Sequence, residues 1–169
     1  MTLYEYLNQM NEENCFEALM RCCGSRKWAK EMVDKRPYLS DSNVHEKAIS
    51  IWSNLEKCDY LEAFSHHPQI GADVSSLRKK FKTTASWSAS EQSGVSQAKD
   101  STLHLLAKGN KDYIDKFGYI FIVCASGKSA SEMLALLLDR LPSTPEEEIL
   151  IAAGEQAKIT ALRLEKLIS

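Results

Sequence analysis

Tyr119-Ile120-Phe121-Ile122-Val123-Cys124-Ala125 is the stretch on which the fold class turns. It is apolar, β-branched and aromatic, and it lies between Gly118 and Ser126-Gly127; that is the composition of a buried strand. One strand makes no sheet, and no second run of this character occurs in the 169 residues. The run therefore reads as a buried extended segment inside an all-α protein. Its N–H and C=O groups would lack sheet partners, yet buried backbone groups need partners. Such a segment is a candidate for offering its backbone to a ligand.

Outward from this run the chain is punctuated as helices. Capping-box spacing occurs at Thr2-x-x-Glu5, Asp59-x-x-Glu62, Ser88-x-x-Glu91, Ser129-x-x-Glu132 and Thr144-x-x-Glu147, where a cap side chain and a later Glu satisfy backbone N–H groups left open at a helix start. Stop signals follow apolar stretches at Gly24, Pro37, Gly118 and Pro142. Between them the apolar period is helical. Val44, Ala48, Ile51, Trp52 and Leu55 form one stripe, and Met133, Leu134, Leu137, Leu138 and Leu141 another. Ile149, Ala153, Gln156, Thr160 and Leu164 line one side of the last helix. No internal repeat or domain linker interrupts this pattern, so residues 1–169 are read as a single-domain bundle of about eight helices with one buried extended segment.

Composition narrows the class. Hydrophobic residues at 44% and charged residues at 26% describe a globular chain. A net charge of −2 gives no basic excess for nucleic acid. Met1-Thr2-Leu3-Tyr4-Glu5 has neither the basic nor the apolar region of a signal peptide, and no stretch approaches a bilayer span; a cytoplasmic location is expected. Cys15, Cys22, Cys23, Cys58 and Cys124 are odd in number and lack CxxC spacing, which reads as buried reduced thiols. His45, His66, His67 and His104 have no metal-ligand spacing. Gly127-Lys128-Ser129 lacks the upstream glycine of a phosphate loop, because position 122 is Ile.

Three local patterns could carry chemistry. In His66-His67-Pro68-Gln69-Ile70-Gly71, Pro68 disfavours a helical His67 and takes its imidazole off the preceding helix. A histidine in a stiff turn suits proton transfer; a surface or satisfied core histidine is the plain alternative. In Ser88-Ala89-Ser90-Glu91-Gln92, Glu91 either caps a helix or faces a ligand at the positive end of the helix dipole, with Gln92 adding an amide. Arg163 lies one position from the buried stripe of the last helix, either reaching for water or presenting a fork to a carboxylate or ureido group.

Taken in order, these pieces resemble one family. They are His67-Pro68-x-Ile70-Gly71, Ser88-x-x-Glu91-Gln92-x-Gly94, Phe117-Gly118-Tyr119-x-Phe121-Ile122 followed by Gly127, Arg140-Leu141, and Glu155 to Leu164 with Ile159 and Arg163. The combination is similar to 2-oxo-4-hydroxy-4-carboxy-5-ureidoimidazoline (OHCU) decarboxylase of urate breakdown. The resemblance implies an all-α fold, a homodimer, no metal or organic cofactor, and loss of carbon dioxide from OHCU with protonation of one face to give (S)-allantoin. It implies His67 as catalytic histidine and Glu91 as its acidic partner. It also implies substrate contacts from Pro68, Ser88, Gln92 and Arg163, and from the run Phe121, Ile122, Val123, Cys124 and Ala125. Gln69 stands where the family commonly has Arg, and Pro142-Ser143 where an Asn-containing turn is common. No transthyretin-like domain is recognised in the chain, so the preceding hydrolysis is expected from a separate enzyme. Two other classes fit the same scaffold: a lyase or hydrolase acting on a related ureido or imidazoline compound, and a non-catalytic helical interaction module.

Overall fold

Cap chemistry sets where the helices begin. The computed structural model describes residues 1–67, 75, 77 and 92–169, with the backbone alone for 92–99. Among the described residues there are eight helices and no strand: α1 (Leu3–Gln9), α2 (Glu12–Cys22), α3 (Arg26–Asp34), α4 (Asp41–Ser53), α5 (Lys57–Ser65), α6 (Gln92–Phe117), α7 (Ala130–Arg140) and α8 (Pro145–Lys166). The all-α reading holds. Among these residues no helix is long and apolar enough to cross a membrane.

The Thr2–Glu5 box forms, with Thr2 N–H donating to Glu5 Oε2 at 2.9 Å. Ser129 accepts from the Glu132 N–H at 3.2 Å. Thr144 and Glu147 exchange both bonds, at 3.1 and 3.3 Å. The box expected at Asp59–Glu62 sits three residues earlier. Glu56 is the N-cap of α5, and Asp59, at N3, accepts from the Glu56 N–H at 3.0 Å. A carboxylate serves at N3 as well as at the cap, so the spacing alone did not choose the register. Glu62 instead accepts from the backbone N–H and Nε of Arg26, at 2.7 and 3.0 Å. The Ser88–Glu91 box lies outside the described residues.

The chain divides into two compact units. The first comprises Met1–His67, Ile122–Cys124 and Ile149–Ser169. Its core follows the predicted stripes: Val44, Ala48, Ile51, Trp52 and Leu55 are all buried, with Leu3, Leu7, Leu19, Trp28 and Met32 around them. Each buried Val, Leu, Ile or Met side chain among these contributes roughly 1.5–3 kcal/mol by leaving water. The two tryptophans also pin helices. Trp28 Nε1 donates to the Ala48 carbonyl at 3.0 Å and Trp52 Nε1 to the Ala153 carbonyl at 2.9 Å.

The second unit comprises Pro68–Phe121 and Ala125–Glu148. Here α6 and α7 pack closely where Gly109 meets Leu137; a Cβ on Gly109 would lie 2.6 Å from Leu137 Cδ2. The α7 stripe is narrower than expected. Met133 and Leu137 are buried, but Leu138 is 53% exposed and Arg140 is buried in its place. The reason is electrostatic. Arg140 Nε donates to Glu148 Oε1 at 2.8 Å, the Tyr113 hydroxyl donates to the same oxygen at 2.5 Å, and the Arg140 guanidinium lies 4.5 Å from the centre of the Phe121 ring. A fully buried carboxylate requires such partners.

Between α6 and α7 the chain turns at Gly118, whose φ of +83° a residue with a Cβ would resist. It then runs irregularly through 119–125. Phe121, Ile122 and Val123 are buried, while Cys124 and Ala125 are half-buried, so burial covers part of the expected segment.

Candidate active site

His67 stands where α5 ends. The last turn tightens, with His66 N–H donating to the Ala63 carbonyl and His67 N–H to the Phe64 carbonyl, both at 3.2 Å. His66 is the C-cap, at φ −83° and ψ −6°. Buried Gly24 fixes this end of the helix, because a Cβ there would come within 2.6–2.7 Å of His66 Cβ, Cγ and Cδ2. His66 is exposed and His67 half-buried.

The His67 imidazole reaches α8. Its Nε2 is in hydrogen-bond contact with the amide oxygen of Gln156. Gln156 Nε2 donates in turn to Thr160 Oγ1 at 3.1 Å. Gln156 and Thr160 are 1% and 5% exposed, so their polar groups depend on these partners. The Thr160 hydroxyl also lies near the Cys23 thiol and favours its ionised form.

Burial pushes the His67 pKa below its ordinary 6.5; the Gln156 hydrogen bond works against this, and the positive charges of Arg163 and His66 add to it. His67 is therefore a neutral imidazole near pH 7. Burial likewise raises Cys23 to about 11 and Cys22 to about 12, so both are un-ionised thiols. The reading of all five cysteines as buried holds for Cys15, Cys22 and Cys23; Cys58 is exposed and Cys124 half-buried.

Of the residues singled out in the sequence, His67, Arg163, Ile122, Val123 and Cys124 belong to the first unit, and Phe121 and Ala125 to the second. Arg163 is half-buried on α8 and forms no hydrogen bond or ion pair among the described residues. Its charge is felt at His67, Cys22 and Cys23. Among the described residues the backbone groups of Phe121 and Val123 form no hydrogen bond, which is the condition argued for a segment that could meet a ligand. The Phe121 ring is engaged by Arg140 and Tyr113, so its backbone is the part left to contribute. Pro68, Gln69, Ser88 and Glu91 lie outside the described residues, as does the side chain of Gln92. Gln156 and Thr160 were missed as site residues. Their signal was present as two polar residues, four apart, in an otherwise apolar stripe.

Comparison with known proteins gives concordant findings. The family model for OHCU decarboxylase matches residues 8–165. The chain is 46% identical over 151 residues to the uric acid degradation bifunctional protein TTL of Arabidopsis thaliana, a match covering 88% of this chain and 45% of that protein. It is 24% identical over 164 residues to the 2-oxo-4-hydroxy-4-carboxy-5-ureidoimidazoline decarboxylase of Halalkalicoccus jeotgali, covering 96% and 90% of the two. A crystal structure of OHCU decarboxylase in the presence of (S)-allantoin superposes with a TM-score of 0.70 at 40% identity, over 94% of this chain and 98% of that one. The chain spans less than half the length of the bifunctional relatives it matches.

Proposed function

The chain belongs to the OHCU decarboxylase family, and from that premise we propose that it converts 2-oxo-4-hydroxy-4-carboxy-5-ureidoimidazoline to (S)-allantoin and carbon dioxide in urate degradation. The observation that carries the reading is His67, a neutral, half-buried imidazole at the end of α5 with the Arg163 charge beside it. A proton-transfer group with a pKa near or below neutrality is what the chemistry asks for.

Carbon 4 of the substrate bears both the hydroxyl and the carboxyl. When carbon dioxide leaves, its electron pair joins carbon 4 to carbon 5 as an enol, and the ring C=N takes up the displaced pair and a solvent proton. Loss of the hydroxyl proton and delivery of a proton to carbon 5 then form the new carbonyl and the stereocentre. His67 takes the first proton and returns one to a single face. Arg163 holds the ureido or ring oxygen by a planar fork. The backbone of 121–125 receives the ring, with Pro68, Ser88 and Gln92 as further contacts and Glu91 as the acidic partner that orients the substrate hydroxyl or His67. No metal or organic cofactor is assigned to this scheme. A single domain over 1–169, a second copy of the chain as partner and a cytoplasmic location complete the proposal.

The test is the decay of freshly generated OHCU, followed by absorbance and circular dichroism. Enantiopure allantoin is expected, where spontaneous decay gives racemate. His67→Asn should lower kcat by roughly 10²–10⁴-fold, the usual worth of a positioned acid–base group. Full turnover by the His67→Asn protein would defeat the assignment.

A further inference from the structure

The apolar stripe of α8 is interrupted at two buried places, Gln156 and Thr160, between Ala152, Ala153 and Leu164. A buried amide is costly to fold unless both its ends are bonded, and a leucine would fill such a position more cheaply. Both ends of this amide are used: its oxygen meets His67 Nε2, and its nitrogen donates to Thr160 Oγ1 at 3.1 Å. Thr160 is itself buried near the Cys23 thiol, at the C-terminal end of α2, whose ionised form it favours. The amide is thus oriented from behind, and its orientation dictates which imidazole nitrogen carries the proton, since a carbonyl oxygen accepts and does not donate.

We infer that Gln156, held by Thr160, is a positioning residue that keeps the proton on Nε2 of His67 and leaves the Nδ1 lone pair as the basic nitrogen of the site. Among the described residues Nδ1 has no hydrogen-bond partner. Nδ1 is then the atom that takes the substrate hydroxyl proton and hands one to carbon 5. The imidazolium formed between the two steps is stabilised through its Nε2–H bond to the Gln156 carbonyl. The inference rests on the reading of His67 as the proton-transfer group, but the tautomer is a property of the folded chain and is measurable without turnover.

Burial acts first on the His67 titration, followed by Gln156 and Arg163 from α8 and by His66 beside it. Replacing the neutral amide by a carboxylate changes one of these and leaves the shape nearly intact.

The experiment is long-range ¹H–¹⁵N NMR of the histidine rings in the full chain. It is expected to give the Nε2–H tautomer for His67 and a titration below 6.5, the ordinary value. Gln156→Glu should move that titration, and the pH profile of kcat, upward by about one pH unit or more. Gln156→Leu should lower kcat at least about tenfold, part of what a positioned acid–base group contributes, with KM little changed. Thr160→Val should mix the tautomers, and Thr160→Ser should restore the Nε2–H signal. A residue that only supports packing would alter the folded fraction in these variants and leave the pH profile in place. An Nδ1–H tautomer in the unaltered protein, or a Gln156→Glu profile that does not move, overturns the inference. If His67→Asn keeps full turnover while the Nε2–H tautomer is seen, the catalytic reading fails and the hydrogen-bond assignment survives.

Discussion

In the proposed reaction a single histidine carries the proton transfer, and its ionisation is tied to folding. His67 resists protonation when folded, chiefly because it is buried, whereas in the unfolded chain it titrates near 6.5. Between its lowered folded value and 6.5 the unfolded chain binds a proton that the folded chain does not. Stability therefore falls as pH falls through this window and is unaffected by His67 above it. His67→Asn removes the linkage. Urea unfolding from pH 8 to pH 5 should show the variant gaining on the parent protein only below about pH 6.5. A constant difference across that range would mean that the imidazole is not desolvated. The residues that hold His67 were legible only in part. Pro68 marked the end of α5, but neither Gly24, which gives room to His66, nor Gln156, which meets the ring, has a local signature linking it to position 67.

Among the elements, α7 and α8 show where periodicity misleads. Leu138 was read into the core and is 53% exposed, while Arg140 is buried against Glu148. Hydropathy places arginine on a surface; here a carboxylate supplied eight residues later reverses the balance. Removing one partner leaves the other charge buried alone, which typically costs about 3–5 kcal/mol. Glu148→Ala should therefore lower the urea midpoint strongly. The double change Arg140→Met with Glu148→Leu should recover much of the loss, since a well-packed apolar pair is often no worse than a buried ion pair. A Glu148→Ala protein as stable as its parent would remove the ion pair from any account of this unit. Caps behaved more simply, because their partners are three residues apart; among the described residues only α5 had two acidic residues competing for the N3 position.

For the whole molecule, the described residues are all-α, and the family match over residues 8–165 covers nearly the full length of the chain. The homodimer is a proposal at this scale. Sedimentation equilibrium should give the mass of two chains, with dissociation on dilution. A single-chain mass at micromolar concentration would leave catalysis to be explained within one copy. What the sequence determined by itself, among the described residues, was the set of short-range matters: the helix starts at Thr2, Ser129 and Thr144, the α4 stripe and the absence of a sheet, all governed by interactions within a few residues or by solvent. The tertiary structure alone decided which buried polar groups meet. His67 and Gln156 are 89 residues apart in the chain, and Tyr113 and Glu148 are 35 apart. A buried polar side chain is stable only beside its partner, and which partner arrives depends on how the helices pack.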